Sequence, residues 1–231
     1  MDDQIHALAT RLVRRLKEHG RKITVAESCT GGLLSSTLTD IVGASHWFEQ
    51  SWVTYANSAK ISELGVKHET LESRGAVSAQ VAMEMARGAL QRSGADLAIS
   101  ITGIAGPTNE GSTKPVGTVF VGIASKTWAN AERTQIGGTR AENKIGFVYF
   151  ALLTAIQCYD VAMEKAVQAR KQEEMKLEEM IREEQERKIE RERRDKELKE
   201  KAPWQDESWT DSEGNTKKPE LVVEWSASEE E

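Results

Sequence analysis

Four short runs in this 231-residue chain combine residue types that can do covalent chemistry. They are ESCTGG at 27–32, GAS at 43–45, VTYANSAK at 53–60 and GIAGP at 103–107. A serine hydroxyl becomes a strong nucleophile once a base takes its proton. A lysine is such a base only when neutral, which needs a pKa well below the usual ~10.4. Each run also has a plain reading. Ser28 suits a helix N-cap, GIAGP suits an ordinary turn, and Lys60 suits a solvated helix. Cys29 reads as packing, although a helix N-terminus would lower a thiol pKa. His46 stands beside Ser45 as a second candidate base.

The elements that must position these residues can be read from apolar spacing. Ile5, Leu8, Leu12 and Leu16 give residues 5–19 one apolar face, ended by Gly20. Residues 23–26 read as a buried strand that runs into the 27–32 turn and a helix to Asp40. Strand, small-residue turn and helix together aim backbone N–H groups at an anion. Residues 47–55 are aromatic and β-branched, which predicts a strand. Asn57 is expected to cap a short helix through Leu64, and Ser78 a longer one carrying Val81, Met85, Ala89 and Leu90 inward. Strands are expected at 96–102, 116–124 and 132–136, a polar loop at 108–114, and a helix from near Thr139. The pattern predicts a layered α/β/α sandwich with a mixed sheet, whose ligands sit at strand ends.

The formal charge of −6 hides two different parts. Residues 1–162 carry 16 basic and 15 acidic side chains, and this stretch is read as the globular domain. Residues 163–201 contain 13 of each sign and neither Gly nor Pro. Favourable i,i+4 pairs such as Glu183 with Arg187 predict a single charged helix there. Its apolar residues are too sparse for a coiled-coil seam. Residues 202–231 hold 2 basic and 9 acidic side chains with Trp204, Trp209 and Trp225, and are expected to be a disordered tail.

Other classes are excluded on composition. No apolar run is read as long enough to span a bilayer, and the N-terminus lacks the pattern of a signal peptide. Cys29 and Cys158 cannot make a disulfide framework or a four-cysteine zinc site. None of the four histidines has metal-ligand spacing. The expectation is a cytoplasmic protein without metal or cofactor. The near-neutral helix argues against a nucleic-acid partner.

The runs TVAESCTGG, TDIVGASHWFE, VTYANSAK, GAVS, ISITGIAGP and KPVGTVFVGIAS, in this order, resemble the CinA C-terminal-domain family, the nicotinamide-nucleotide amidohydrolases. The resemblance covers residues from about 4 to 162. It implies hydrolysis of the carboxamide of nicotinamide mononucleotide to nicotinate mononucleotide and ammonia by a Ser/Lys/Tyr site. Carried over by position, the nucleophile is Ser45, the lysine Lys60 and the tyrosine Tyr55, with Ser28 as a further serine near the site. Thr30, Gly31 and Gly32 in one turn, and Gly103, Ile104, Ala105 and Gly106 in the other, are expected to divide phosphate and oxyanion binding between them. Arg140 is a candidate anion ligand. The resemblance also implies a homo-oligomer. The chain departs from the family pattern at Ala44, Ser51 and Lys144, the last replacing an arginine fork with a point charge. The competing reading is an inactive scaffold that binds a protein partner through residues 163–231.

Overall fold

The computed structural model describes residues 2–109 and 111–201. They fall into two units, Met1–Ala166 and Val167–Glu231. The first is an α/β/α sandwich around a five-stranded mixed sheet. Its elements are α1 (Asp2–Glu18), β1 (Ile23–Glu27), α2 (Leu33–Thr39), β2 (Phe48–Val53), α3 (Asn57–Leu64), α4 (His68–Arg74), α5 (Ala79–Ser93), β3 (Leu97–Gly103), β4 (Thr118–Ser125), β5 (Ala129–Gln135) and α6 (Arg140–Lys201). The strand order is β2-β1-β3-β4-β5. β1 is parallel to both β2 and β3, whereas β3–β4 and β4–β5 are antiparallel.

Alternation along the strands sorts the two faces. Val25, Ile99 and Val121 face a core shared with α1, α2 and the first part of α6. Ala26, Ala98 and Ala124 face the other way, toward α3, α4 and α5. Small residues on this second face let α5 approach the sheet closely. A Cβ on Gly122 would lie 2.3 Å from the Ala82 carbonyl oxygen, and the Ser100 hydroxyl donates to that same oxygen at 2.6 Å.

Several local expectations change. Asn57 is the first residue of α3, not its cap, and Ala56 precedes it without a side-chain cap. Ser78 does cap α5, its Oγ accepting from the Val81 N–H at 3.3 Å. The short α4 was not anticipated, because its only buried residue is Leu71 and one apolar position sets no period. β4 starts at Thr118 rather than 116, since Gly117 adopts a left-handed φ of 86° and donates instead to the Ile104 carbonyl. β5 begins three residues early, at Ala129. Thr139 and Glu142 bond reciprocally at the start of α6, in the manner of a capping box.

α6 also corrects the reading of apolar runs. It contains an 18-residue window of mean hydropathy 1.5, long and apolar enough by composition to cross a membrane. Half of that window is buried. Phe147, Val148, Ala151, Leu152, Ala155 and Ile156 are in the core beside β1, β3 and β4, which accounts for the hydropathy. In the second unit, residues 167–201 are helical and exposed throughout, and Arg187 pairs with Glu183 at 2.8 Å. The expected Trp-bearing tail lies outside the described residues.

Candidate active site

The parallel pairing brings the carboxyl ends of β1, β2 and β3 to one rim of the sheet, where open α/β folds take their ligands. A cavity of about 470 Å³ opens at this rim. Ser28, which follows β1, lines it together with Lys60 from α3 and Tyr55 from the intervening turn. Gly103, Ile104, Ala105 and Gly106 contribute a second wall, with Arg140 and Lys114.

Lys60 is the most unusual residue here, a lysine only 1% exposed. Its Nζ lies 2.9 Å from the Thr54 carbonyl oxygen, 3.1 Å from that of Tyr55 and 3.2 Å from Ser28 Oγ. Both carbonyls sit where β2 gives way to α3, a place where backbone oxygens are left without ladder partners. Burial pushes the Lys60 pKa below its ordinary value. A neutral amine has two N–H bonds and one lone pair. In that neutral form, with both N–H groups donated to the carbonyls, the lone pair would face the Ser28 hydroxyl.

Ser45 is not part of this arrangement. It lies in a short 3-10 turn, Ala44–His46, just before β2, and is exposed to solvent. Ser28 follows the opposite, carboxyl end of the neighbouring strand, because Glu27 pairs with Val53 and Ile23 with Phe48. Six strand residues at ~3.3 Å each put roughly 20 Å between the two ends. The order of the family motifs cannot reveal this, since two serines with similar flanking glycines read alike along the chain. His46 shares the Ser45 turn and is equally remote from Lys60.

The 27–32 turn does not cradle an external anion. The buried Glu27 carboxylate accepts from the N–H groups of Gly32, Leu34 and Ser35 at 3.0, 3.2 and 2.8 Å, and from the Ser35 hydroxyl at 2.7 Å. The N-terminus of α2 therefore already has its negative charge. Thr30 is fully buried, and Thr30, Gly31 and Gly32 do not line the cavity. Glu27→Ala is expected to lower unfolding free energy by about 3 kcal/mol, because it leaves one buried and three part-buried donors without their acceptor. Urea denaturation measures it, and an unchanged midpoint would show that the cap is dispensable.

Tyr55 is 59% exposed, and its phenol oxygen accepts from Arg140 Nη2 at 2.8 Å. Arg140 Nη1 donates to the Gly106 carbonyl at 2.6 Å. The phenol thus meets Arg140, and Tyr55 reaches Lys60 only through its backbone carbonyl. Lys144 lies next to Gly31, with Nζ 3.8 Å from where a Cβ on that glycine would be. Cys29 lines the cavity, but burial pushes its thiol up to about 12, the opposite of the activated state.

Two contributors escaped the sequence reading. Lys114 lines the cavity from the loop before β4, and the run KPVGTV that contains it was its only signal. Asn143, buried in the first turns of α6, donates to the Ala105 carbonyl at 3.0 Å. A buried asparagine in an apolar helix face was that signal.

A family model for the CinA C-terminal domain matches residues 5–159. The chain belongs to the CinA C-terminal domain family. One family relative, a nicotinamide-nucleotide amidohydrolase PncC of Enterobacter agglomerans, is 45% identical over 157 residues, covering 68% of this chain and 96% of that protein. A CinA-like protein of Chlorobium limicola is 54% identical over 147 residues, 62% of this chain. The chain spans only 34% of that longer relative. The crystal structure of the competence/damage inducible protein CihA of Agrobacterium tumefaciens matches with a TM-score of 0.64 at 40% identity, covering 67% of this chain and 94% of that one. The family match falls on the part of the chain that holds the cavity.

Proposed function

We propose that this chain hydrolyses the carboxamide of nicotinamide mononucleotide, with Ser28 as nucleophile and Lys60 as its base. The observation that carries the reading is the buried Lys60 amine, 3.2 Å from Ser28 Oγ in the cavity wall. Likeness to the Enterobacter agglomerans amidohydrolase supports the choice of substrate.

In the first step Ser28 Oγ attacks the carboxamide carbon while Lys60 takes the hydroxyl proton. The carbonyl oxygen becomes an oxyanion, for which the backbone N–H groups of Ala105 and Gly106 on the cavity wall are suited as donors. Collapse breaks the C–N bond, and Lys60 returns its proton to the departing nitrogen, which leaves as ammonia. The remaining ester on Ser28 is then attacked by water, with Lys60 again taking a proton. Breaking the ester C–O bond, with Lys60 returning that proton to Ser28 Oγ, restores Ser28 and frees the acid, which ionises to the carboxylate product. Arg140 and Lys114 are the cations on the cavity wall that suit the substrate phosphate. Arg140 also ties Tyr55 to the 103–106 turn, so Tyr55 acts by holding one side of the cavity in place.

The reading places the chain in pyridine-nucleotide recycling in the cytoplasm, as a homo-oligomer, and the family resemblance is the support for these points. A lysine held buried in a cavity against a hydroxyl has little use in an inactive scaffold. Purified protein is expected to release one ammonia per nicotinamide mononucleotide consumed, and a chain ending at Ala166 is expected to do so at the same kcat. Absence of ammonia release from the full chain would overturn the proposal. Loss of activity only in the shortened chain would instead make residues 167–231 part of the catalytic unit.

A further inference from the structure

We infer that Asn143 is a positioning residue that turns the Gly106 N–H into the cavity to receive the oxyanion. This inference rests on the amidohydrolase reading above. In a trans peptide the carbonyl and the N–H point in opposite directions within one plane. The peptide joining Ala105 to Gly106 has its oxygen fixed by Asn143 Nδ2 at 3.0 Å. Its N–H, on Gly106, must then point away from Asn143, which is fully buried behind the turn. Gly106 and Ala105 both line the cavity.

The preceding peptide is fixed in the same way. The Ile104 carbonyl accepts from the Gly117 N–H at 2.7 Å, so the Ala105 N–H also points away from its anchor. Gly106 itself has a left-handed φ of 94°, and a Cβ there would lie 2.8 Å from Val116 Cγ1. A side chain would displace the turn, so only glycine keeps this peptide in place.

The side chain of Asn143 is oriented without ambiguity. Its Nδ2 faces two carbonyls, those of Ala105 and Gly138, the second at 3.1 Å. Its Oδ1 is buried and has no partner among the described residues. A half-satisfied buried amide is a poor contributor to stability. Its value lies in the one thing an apolar residue cannot do here, which is to hold the Ala105 oxygen and so set the Gly106 donor.

The test compares Asn143→Asp and Asn143→Ser with the full-length wild type. Two substrates are used, nicotinamide mononucleotide and its analogue with sulfur in place of the carboxamide oxygen. Aspartate keeps the shape but turns an acceptor toward two carbonyls, whereas serine retains one short donor. Asn143→Asp is expected to lower kcat by about 10²-fold with little change in KM. It is also expected to lose most of the wild type's preference for oxygen over sulfur, measured against uncatalysed hydrolysis. A purely structural role would lower the folded fraction and leave both kcat per folded molecule and the preference unchanged, and that result would overturn the proposal. Should neither variant fold, the wild type decides, since equal treatment of oxygen and sulfur would contradict an oriented donor. Ser28→Ala separates the two claims. Full activity there defeats Ser28 as the nucleophile of the amidohydrolase reading, whereas an inactive Ser28→Ala beside a fully active Asn143→Asp defeats this inference alone.

Discussion

Replacing Lys60 with methionine is expected to reduce kcat/KM for nicotinamide mononucleotide by roughly 10³-fold, the ordinary worth of a general base. Methionine has a similar length and is at home in a buried position, so the fold is expected to persist. The pH profile is the sharper part of the prediction. Burial holds the Lys60 pKa below its ordinary 10.5, and the amine acts only when neutral. Wild-type kcat/KM should therefore rise with pH to a midpoint below 10.5, and the variant should lack that limb. Stability follows the same linkage. Between the lowered folded value and 10.5 the unfolded chain binds the proton more readily, so wild-type stability increases as pH rises through that window. The methionine variant should lack this increase. Urea midpoints of both proteins measured across the window check it. Parallel profiles for the two proteins would show that Lys60 stays charged and is not the base.

Ser28→Ala is expected to have the largest effect of any single substitution, lowering kcat by about 10⁴-fold or more, as removal of a serine nucleophile does elsewhere. Ser28 is 8% exposed, and it loses one hydroxyl and one contact to Lys60, so the variant should fold normally. Ser45→Ala is expected to leave kcat unchanged. Ser45 sits at the far end of β2, exposed, in a turn whose neighbouring Val42 carbonyl is contacted by Lys17 of α1 at 3.4 Å. Ammonia release from the two alanine variants, assayed side by side, distinguishes them. A dead Ser45→Ala with an active Ser28→Ala would reverse the assignment.

Much of this fold was legible in the chain because local pattern and burial agree. The apolar stripe of α1, the buried run of β1 and the Ser78 cap of α5 each follow from one-dimensional spacing. The helix beyond residue 163 was legible from its charge pairs, since such pairs act within one helix and need no partner. The site was legible in its residue types more than in their grouping. Lys60, Tyr55, Ser28, Arg140 and the 103–106 turn meet in one cavity, whereas Ser45 does not. Which end of a strand a turn occupies depends on pairing direction, and that is a tertiary fact. The 27–32 turn shows a second limit. Its sequence has the form of an anion cradle, yet the anion is Glu27, its own first residue. A carboxylate reaching forward five to eight positions to cap the next helix follows no pattern that local propensity records. Asn143 escaped for a similar reason, since its partner Ala105 is 38 residues away.

The pairing of Ser28 with Lys60 can be tested by catching the ester itself. Wild-type protein turning over nicotinamide mononucleotide is quenched in acid, digested, and the acylated residue located by fragmentation mass spectrometry. Digestion after lysine and arginine leaves residues 23–60 in one peptide, so fragmentation between Ser28 and Ser45 is decisive. The account predicts a nucleotide-bearing acyl group on Ser28, absent from Ser28→Ala and present in Ser45→Ala. The same group on Ser45, or its persistence in Ser28→Ala, would contradict it.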